Sequence, residues 1–374
     1  MRTAPQRRQH SGEHVVFLSW RDPWHPEAGG AERWLLEVAE RLAADGTEVT
    51  VLSARYPGSA SELHHRGIRW VRRGGHLTLY LHAALMLLTR RLGRVTSVIE
   101  VQNGMPFLAR LFTRAQVVVL VHHVHREQWP VVGPVLARVG WFLESQVAPR
   151  VNRGLRYLAV SDVTRGELIQ LGVDPRAITI AWNGCQPVPT TLPPVSPNPA
   201  PSLVVLGRLV PHKRVEHAVA ALAALRHEFP GLTLRVVGSG WWEESLRAEI
   251  DRLGVASEVE LVGHVDETTK YVELSRAWVH LLPSLKEGWG LSIVEAAQVG
   301  VPSVAYADAG GVRDSILDGT TGLLARDQTD FVDCVRRLLR DDVLRRELGT
   351  KARARTAEFT WEATTATVRT ALRD

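Results

Sequence analysis

Cysteine is nearly absent from these 374 residues: Cys185 and Cys334 stand far apart and in no metal-ligand spacing. That excludes a disulfide framework or a cysteine-built zinc site and implies two free thiols in a reducing compartment. Lysine is almost as scarce, with only Lys213, Lys270, Lys286 and Lys351 among 45 basic residues, so a lysine inside a motif carries unusual weight. No apolar run is long enough to cross a bilayer. No Gly-x-Gly-x-x-Gly follows the first predicted strand, which disfavours a nicotinamide dehydrogenase. No Asp-x-Asp-type acidic pair falls in a predicted strand-end loop, so no metal is expected at the site. The net charge of +5 comes without a basic stripe or nucleic-acid module, and no nucleic-acid partner is expected. Residues 1–10 are basic and polar with no apolar core behind them, unlike a secretory signal, and a cytoplasmic location is expected.

What the chain does have is alternation. Short β-rich runs at 15–19, 48–52, 97–101, 117–121, 157–160 and 178–181 interleave with helical patterns such as 31–44. Seven prolines between 187 and 201 interrupt this order and read as a semi-rigid linker. The pattern then restarts, with strands at 203–206, 233–237, 258–262, 279–282 and 303–305. Helices are expected near 215–228, 243–253, 291–299, 331–339 and 361–372. Alternation of this kind predicts α/β architecture with parallel sheets covered on both faces. The expected division is a basic tail at 1–13, one Rossmann-like domain at 14–186, the linker at 187–202, a second such domain at 203–355 and a terminal helical segment at 356–374. In open α/β sheets ligands bind outside the carboxyl ends of the strands, where the motifs of this chain also fall.

The densest motif is Leu285-Lys286-Glu287-Gly288-Trp289-Gly290-Leu291-Ser292-Ile293-Val294-Glu295. Its glycines let backbone approach a ligand, the following helix offers unpaired amides, and two carboxylates flank the whole. A diphosphate on the amides with hydroxyl-bearing rings under the carboxylates describes a nucleotide sugar. Glu295 sits among residues that read as buried, where an unpartnered carboxylate is costly and a hydroxylated ligand would offset that cost. Upstream, Gly207-Arg208-Leu209-Val210-Pro211-His212-Lys213-Arg214 joins a strand to a helix. Arg208 can fork two phosphate oxygens and Lys213 adds a point charge, so this loop suits a departing diphosphate.

With Gly29-Gly30-Ala31-Glu32-Arg33, His122, Ser161, Asn183-Gly184 and Gly238-Ser239-Gly240, these motifs in this order resemble the retaining glycosyltransferases of family 4 over nearly the whole chain. The resemblance implies two Rossmann-like parallel-sheet domains facing across a cleft, the GT-B arrangement, with the terminal helix returning to the first domain. It implies that Arg208 and Lys213 bind the donor diphosphate, that Glu287 approaches the sugar hydroxyls and that Glu295 approaches the ribose. The amides of Gly288, Trp289, Gly290 and Leu291 would hold sugar and phosphate. Relatives commonly have Phe where Trp289 stands, a departure that would alter sugar fit. His122 aligns with a histidine that contacts the donor sugar, Gly30 with a loop near the diphosphate or acceptor, Gly238 with a nucleotide-packing turn, and Val265 with backbone that holds the base. The expected activity is retaining, metal-independent transfer from a UDP- or GDP-linked sugar to a glycan, lipid-linked or small-molecule acceptor. The alternatives are a nucleotide-sugar epimerase, a phosphorylase, or a non-catalytic nucleotide-sugar-binding protein.

Two groups of residues keep competing readings. His122, His123 and His125 suggest zinc, but a strand end points alternate side chains in opposite directions and no cysteine is near in sequence. Residues 76–94, apolar and ending in Arg90, Arg91 and Arg94, suit either an interfacial helix on the anionic inner face of a plasma membrane or a core helix. The core reading, with Leu81, Leu85 and Leu88 turned inward, is the expected one.

Overall fold

The computed structural model describes residues 12–126, 129 and 133–373. Most of the basic tail, up to residue 11, lies outside the described residues. The chain divides into two units: one runs to Gly184 and takes up the chain again from Trp361, and the other is Cys185–Thr360.

The first unit is built on strands β1 (His14–Leu18), β2 (Glu48–Ser53), β3 (Glu62–His65), β4 (Ile68–Arg72), β5 (Ser97–Gln102), β6 (Gln116–Val121), β7 (Arg156–Ala159) and β8 (Ile178–Ile180). They lie in the order β3-β4-β2-β1-β5-β6-β7-β8, all neighbours parallel except the β3–β4 hairpin. β1 is buried along its whole length, as expected of a strand covered on both faces. Its side chains alternate between two cores. Val15 and Phe17 join Trp34, Leu35 and Trp361 on one face, while Val16 and Leu18 join Leu79, Ala83 and Met86 on the other.

The second unit carries β9 (Ser202–Leu206), β10 (Thr233–Val237), β11 (Val259–Gly263), β12 (Val279–Leu282), β13 (Ser303–Tyr306) and β14 (Gly322–Ala325). Its sheet is fully parallel in the order β11-β10-β9-β12-β13-β14, which is the dinucleotide-fold order 3-2-1-4-5-6. The connections therefore diverge between β9 and β12, leaving a crevice at their carboxyl ends. The proline-rich segment packs onto this unit through Val188 and Leu192.

Several elements escape periodicity. β3 is a polar, solvent-facing edge strand, and β14 is only four residues long. The helices Asp162–Gln170, Glu267–Arg276 and Asp342–Arg355 are rich in charge and poor in apolar contrast. The helix Leu79–Leu88 corrects the core reading of residues 76–94. Leu79, Ala83, Met86 and Leu87 face inward, whereas Leu81, Leu85 and Leu88 are 72%, 52% and 60% exposed. A helix that is apolar all round gives the sequence no basis for choosing its buried side.

The helix Trp361–Ala371 packs against the helix Gly30–Ala44 and completes the first core. The Trp361 backbone and indole fit so closely against Gly184 that a Cβ there would meet them at 2.4 and 2.5 Å. Arg41 ties the two helices by an ion pair to Glu362 at 2.9 Å. We expect Trp361→Ala to destabilise the first unit by about 3–5 kcal/mol, the range for removing a fully buried large aromatic. Denaturant unfolding followed by fluorescence measures this; a loss below about 1 kcal/mol would show that the helix is not integral to that core.

Candidate functional site

In the second unit the loops leaving five adjacent strands are stitched together by backbone hydrogen bonds. Gly238 N–H donates to Gly263 O at 2.8 Å, joining the loops after β10 and β11. Gly207 N–H donates to Val237 O and Leu209 N–H to Ser239 O, both at 3.0 Å, joining β9 to β10. Across the crevice Leu285 N–H donates to His212 O at 2.8 Å. On the far side Glu287 N–H donates to Ala309 O at 2.8 Å and Gly311 N–H donates to Glu287 O at 2.9 Å. Two glycines make this seam possible. A Cβ on Gly238 would stand 1.9 Å from Gly207 O, and one on Gly311 would stand 1.9 Å from Gly288 O.

Arg208 is the second residue beyond β9, and Lys213 ends the single 3-10 turn Pro211–Lys213 that follows. Arg214 then adopts φ +48 before the helix Val215–Leu225 begins. The Lys213 ammonium donates to the Glu287 carboxylate, and both side chains are largely buried. Burial alone would push the Glu287 carboxyl up; the Lys213 cation outweighs it, with help from Ser284 and His212, and holds the group below the usual range. Glu287 is therefore an ionised acceptor of hydrogen bonds. His212 is pushed down to about 4 by burial and by the Lys213 and Arg208 cations, against the opposing pull of Glu287. The cradle's positive charge is thus carried by Arg208 and Lys213, with His212 neutral.

Beyond Glu287, Gly290 takes a left-handed conformation (φ +87) and opens the helix Leu291–Gln298. Trp289 is 2% exposed and packs edge-on against Phe359, with ring centroids 4.9 Å apart. Its indole fills a small core with Val294, so the substitution expected to alter sugar fit acts instead on packing. Gly288, Trp289, Gly290 and Leu291 can face a ligand through backbone alone. Glu295, two turns along, accepts from Lys270 at 2.6 Å. The cost of its burial is thus offset within the chain and does not by itself require a ligand at that carboxylate. Burial would lower Lys270, but Glu295 and Glu267 raise it on balance. Val265 follows β11 and packs on the same core as Val204 and Val237. Gly238, Val265, Arg208, Lys213, Glu287 and the 288–291 turn all occupy strand-end loops on one edge of this sheet.

Periodicity and motif spacing single out neither Lys270 nor Ser284 nor the Ala309–Gly311 turn. The scarcity of lysine was the available signal for Lys270. Nothing in the sequence pairs 309–311 with Glu287, because that contact depends on strand order.

Gly30 and His122 stand in the first unit. Gly30 starts the helix Gly30–Ala44, where Glu32 accepts from Gly29 N–H at 2.7 Å and from Arg21 at 3.0 Å. The loop at 21–27 is thus tethered, with Asp22 also paired to the buried Arg72. His122 is 5% exposed, packs edge-on to Trp34, and burial pushes it down to about 3. It is a neutral imidazole, and its Nε2 has no hydrogen-bond partner among the described residues. Ser161 caps the helix Asp162–Gln170 by accepting from Thr164 N–H at 3.1 Å. His125 pairs with Glu144 at 3.2 Å, and no group of three or more potential metal ligands is gathered among the described residues.

Comparison with known proteins bears on both units. Residues 28–187 match the family model for Glycosyltransferase Family 4, and residues 194–355 match that for glycosyl transferases group 1. The chain is 34% identical over 189 residues to a glycogen synthase of Mycobacterium tuberculosis, covering 50% of this chain and 45% of that protein. It is 33% identical over 171 residues to a D-inositol 3-phosphate glycosyltransferase of Nocardia farcinica, covering 43% and 38%. These matches span less than half the length of each relative. Among solved structures, sucrose-phosphate synthase of Thermosynechococcus elongatus superposes with TM-score 0.80 at 20% identity, over 96% of this chain and 98% of that one. Anabaena HepE, solved with UDP and glucose, superposes with TM-score 0.75 at 18% identity, over 96% and 99%. At such identities the likeness shows the fold, that of the two-domain GT-B proteins.

The Lys213–Glu287 pair has a pH signature. A carboxyl held below its unfolded pKa stabilises the fold above the unfolded value, and that stability is lost as pH falls through the folded value. In Lys213→Met burial acts unopposed, the Glu287 carboxyl rises, and its charge opposes folding at neutral pH. The variant should lose about 2 kcal/mol near neutrality, less than a fully buried pair would, and proportionately less in acid. Thermal melts from acidic to neutral pH test this; parallel profiles for both proteins would contradict it.

Proposed function

The chain belongs to the family 4, group 1 glycosyltransferases, and from that premise we propose that it moves a sugar from a nucleoside-diphosphate donor to a hydroxyl acceptor with retained anomeric configuration. The observation that carries the reading is the Lys213–Glu287 pair set across the crevice between β9 and β12, beside Arg208 and the left-handed Gly290. In an open parallel sheet that crevice is where phosphorylated ligands lie. The solved HepE with UDP and glucose supports a uridine donor, with a guanosine donor as the companion candidate.

In this reading Arg208 forks the diphosphate while Lys213 supplies charge to it. The amides of 288–291 add the positive end of the helix Leu291–Gln298. Glu287, ionised and fixed by backbone bonds on both flanks, accepts from the sugar hydroxyls. Glu295, steadied by Lys270, takes the ribose hydroxyls, and backbone at Val265 and Gly238 borders the base. The bond between the anomeric carbon and the diphosphate oxygen breaks with its electron pair leaving on the phosphate. The acceptor oxygen attacks from the same face, and its proton passes to the departing phosphate. Growing negative charge on that phosphate is met by Arg208 and Lys213, so the proposed reaction needs no metal. Acceptor binding falls to the first unit, and a glycan, lipid-linked glycan or small metabolite is the acceptor class.

Screening nucleoside-diphosphate sugars by thermal shift and then by hydrolysis identifies the donor, since stabilisation grows with ligand concentration over Kd. With that donor, Lys213→Ala and Glu287→Ala should each lower turnover by about 10²–10³, the cost of removing one preorganised stabilising group. Both should keep the wild-type circular dichroism spectrum. Near-wild-type turnover in either variant would defeat the assignment, and altered sugar formed without any acceptor would favour an epimerase.

A further inference from the structure

We propose that the solvent-facing side of the helix Leu79–Leu88, with the arginines that follow it, is a docking surface for an anionic phospholipid bilayer. Leu81, Leu85 and Leu88 recur at spacings of four and three, which places them on one stripe of the helix, and Leu77 lies in the turn just before it. All four are more than half exposed, as is Leu111. The inward side of the same helix is already filled by Leu79, Ala83, Met86 and Leu87, so the stripe is surplus to the core. Scattered surface leucines need no explanation, but a continuous row of them on an otherwise packed helix does.

Charge names the occupant. Around the helix, between residues 76 and 114, the chain holds five arginines and one acidic residue, Glu100. Glu100 is fully buried and is consumed by the amides of Phe107, Leu108 and Ala109 at 2.8–3.1 Å. Leu88 and Leu111 border a surface hollow together with Arg90, Arg94 and Arg114, and no acidic side chain lines it. Arg90, Arg91, Arg94 and Arg114 are exposed and have no carboxylate partner among the described residues. Leucines that enter the acyl boundary, rimmed by arginines at phosphate depth, match the interfacial pattern of peripheral proteins. A ten-residue helix is about 15 Å long, half of what a membrane span needs, so it lies on the bilayer. A second copy is a poorer occupant, because a twofold contact through this stripe would set the same arginine cluster against itself.

Co-sedimentation of the full chain with phosphatidylcholine vesicles, with and without phosphatidylglycerol, tests the proposal at low and high salt. Binding is expected to require phosphatidylglycerol and to weaken as salt screens it. Arg90→Gln, Arg91→Gln and Arg94→Gln should each cost about fivefold in vesicle affinity, and combined they should remove most of it. Leu81→Asn with Leu85→Asn should lower affinity at least about tenfold, with melting temperature unchanged because neither side chain is in the core. No vesicle binding, equal binding to both vesicle types, or full binding by the leucine variant would overturn the proposal. So would a dimer in solution that the leucine variant dissociates, which would give the face to a second copy.

Discussion

The second unit depends on one charge contact at the place where its strand order reverses. β9 and β12 are adjacent, but the chain leaves them in opposite directions, and the loops at their carboxyl ends have no reason in sequence to meet. Lys213 on one and Glu287 on the other close that gap, beside the Leu285 N–H bond to His212 O. Each side chain would be expensive alone in this largely buried position; together they leave a fixed cation and a fixed anion side by side at the mouth of the crevice. The surrounding peptide bonds keep them there. Glu287 is held by hydrogen bonds on both its N–H and its carbonyl, and the loop bearing Lys213 is bonded to loops on either side of it.

The second carboxylate of the motif follows the same rule. Glu295 has Lys270 within 2.6 Å, so each glutamate has a lysine of its own and accepts a hydrogen bond from it. A site with two steadied carboxylates and an arginine–lysine cradle is suited to gripping hydroxyls around a diphosphate. His212 stays neutral beside the cations, so the cradle's charge does not vary across the physiological range.

Much of this was legible in the chain before any coordinates. Buried strands such as β1, β9 and β12 announce themselves as apolar runs between turns, and Arg208, Lys213 and Glu287 stand out because each follows such a run. What periodicity could not supply was pairing. The 309–311 turn beneath Glu287, and Lys270 beside Glu295, come together only through strand order and helix packing. The edge strand β3 is four residues long with Leu63 as its only apolar side chain, too little to give a signal. Trp289 misled for a related reason: it lies in the ligand motif, but its indole turns into a local core with Phe359. Leu81, Leu85 and Leu88 face solvent against expectation because a helix apolar on every side offers no contrast that marks its buried face.

In the proposed function the cradle formed by Arg208 and Lys213 recognises a diphosphate. Calorimetry with a nucleoside, its monophosphate and its diphosphate, on the wild type and on Arg208→Ala, measures that recognition. Affinity should climb steeply with the second phosphate in the wild type, and the climb should largely disappear in the variant while nucleoside binding is kept. A diphosphate advantage that survives Arg208→Ala unchanged would contradict the account.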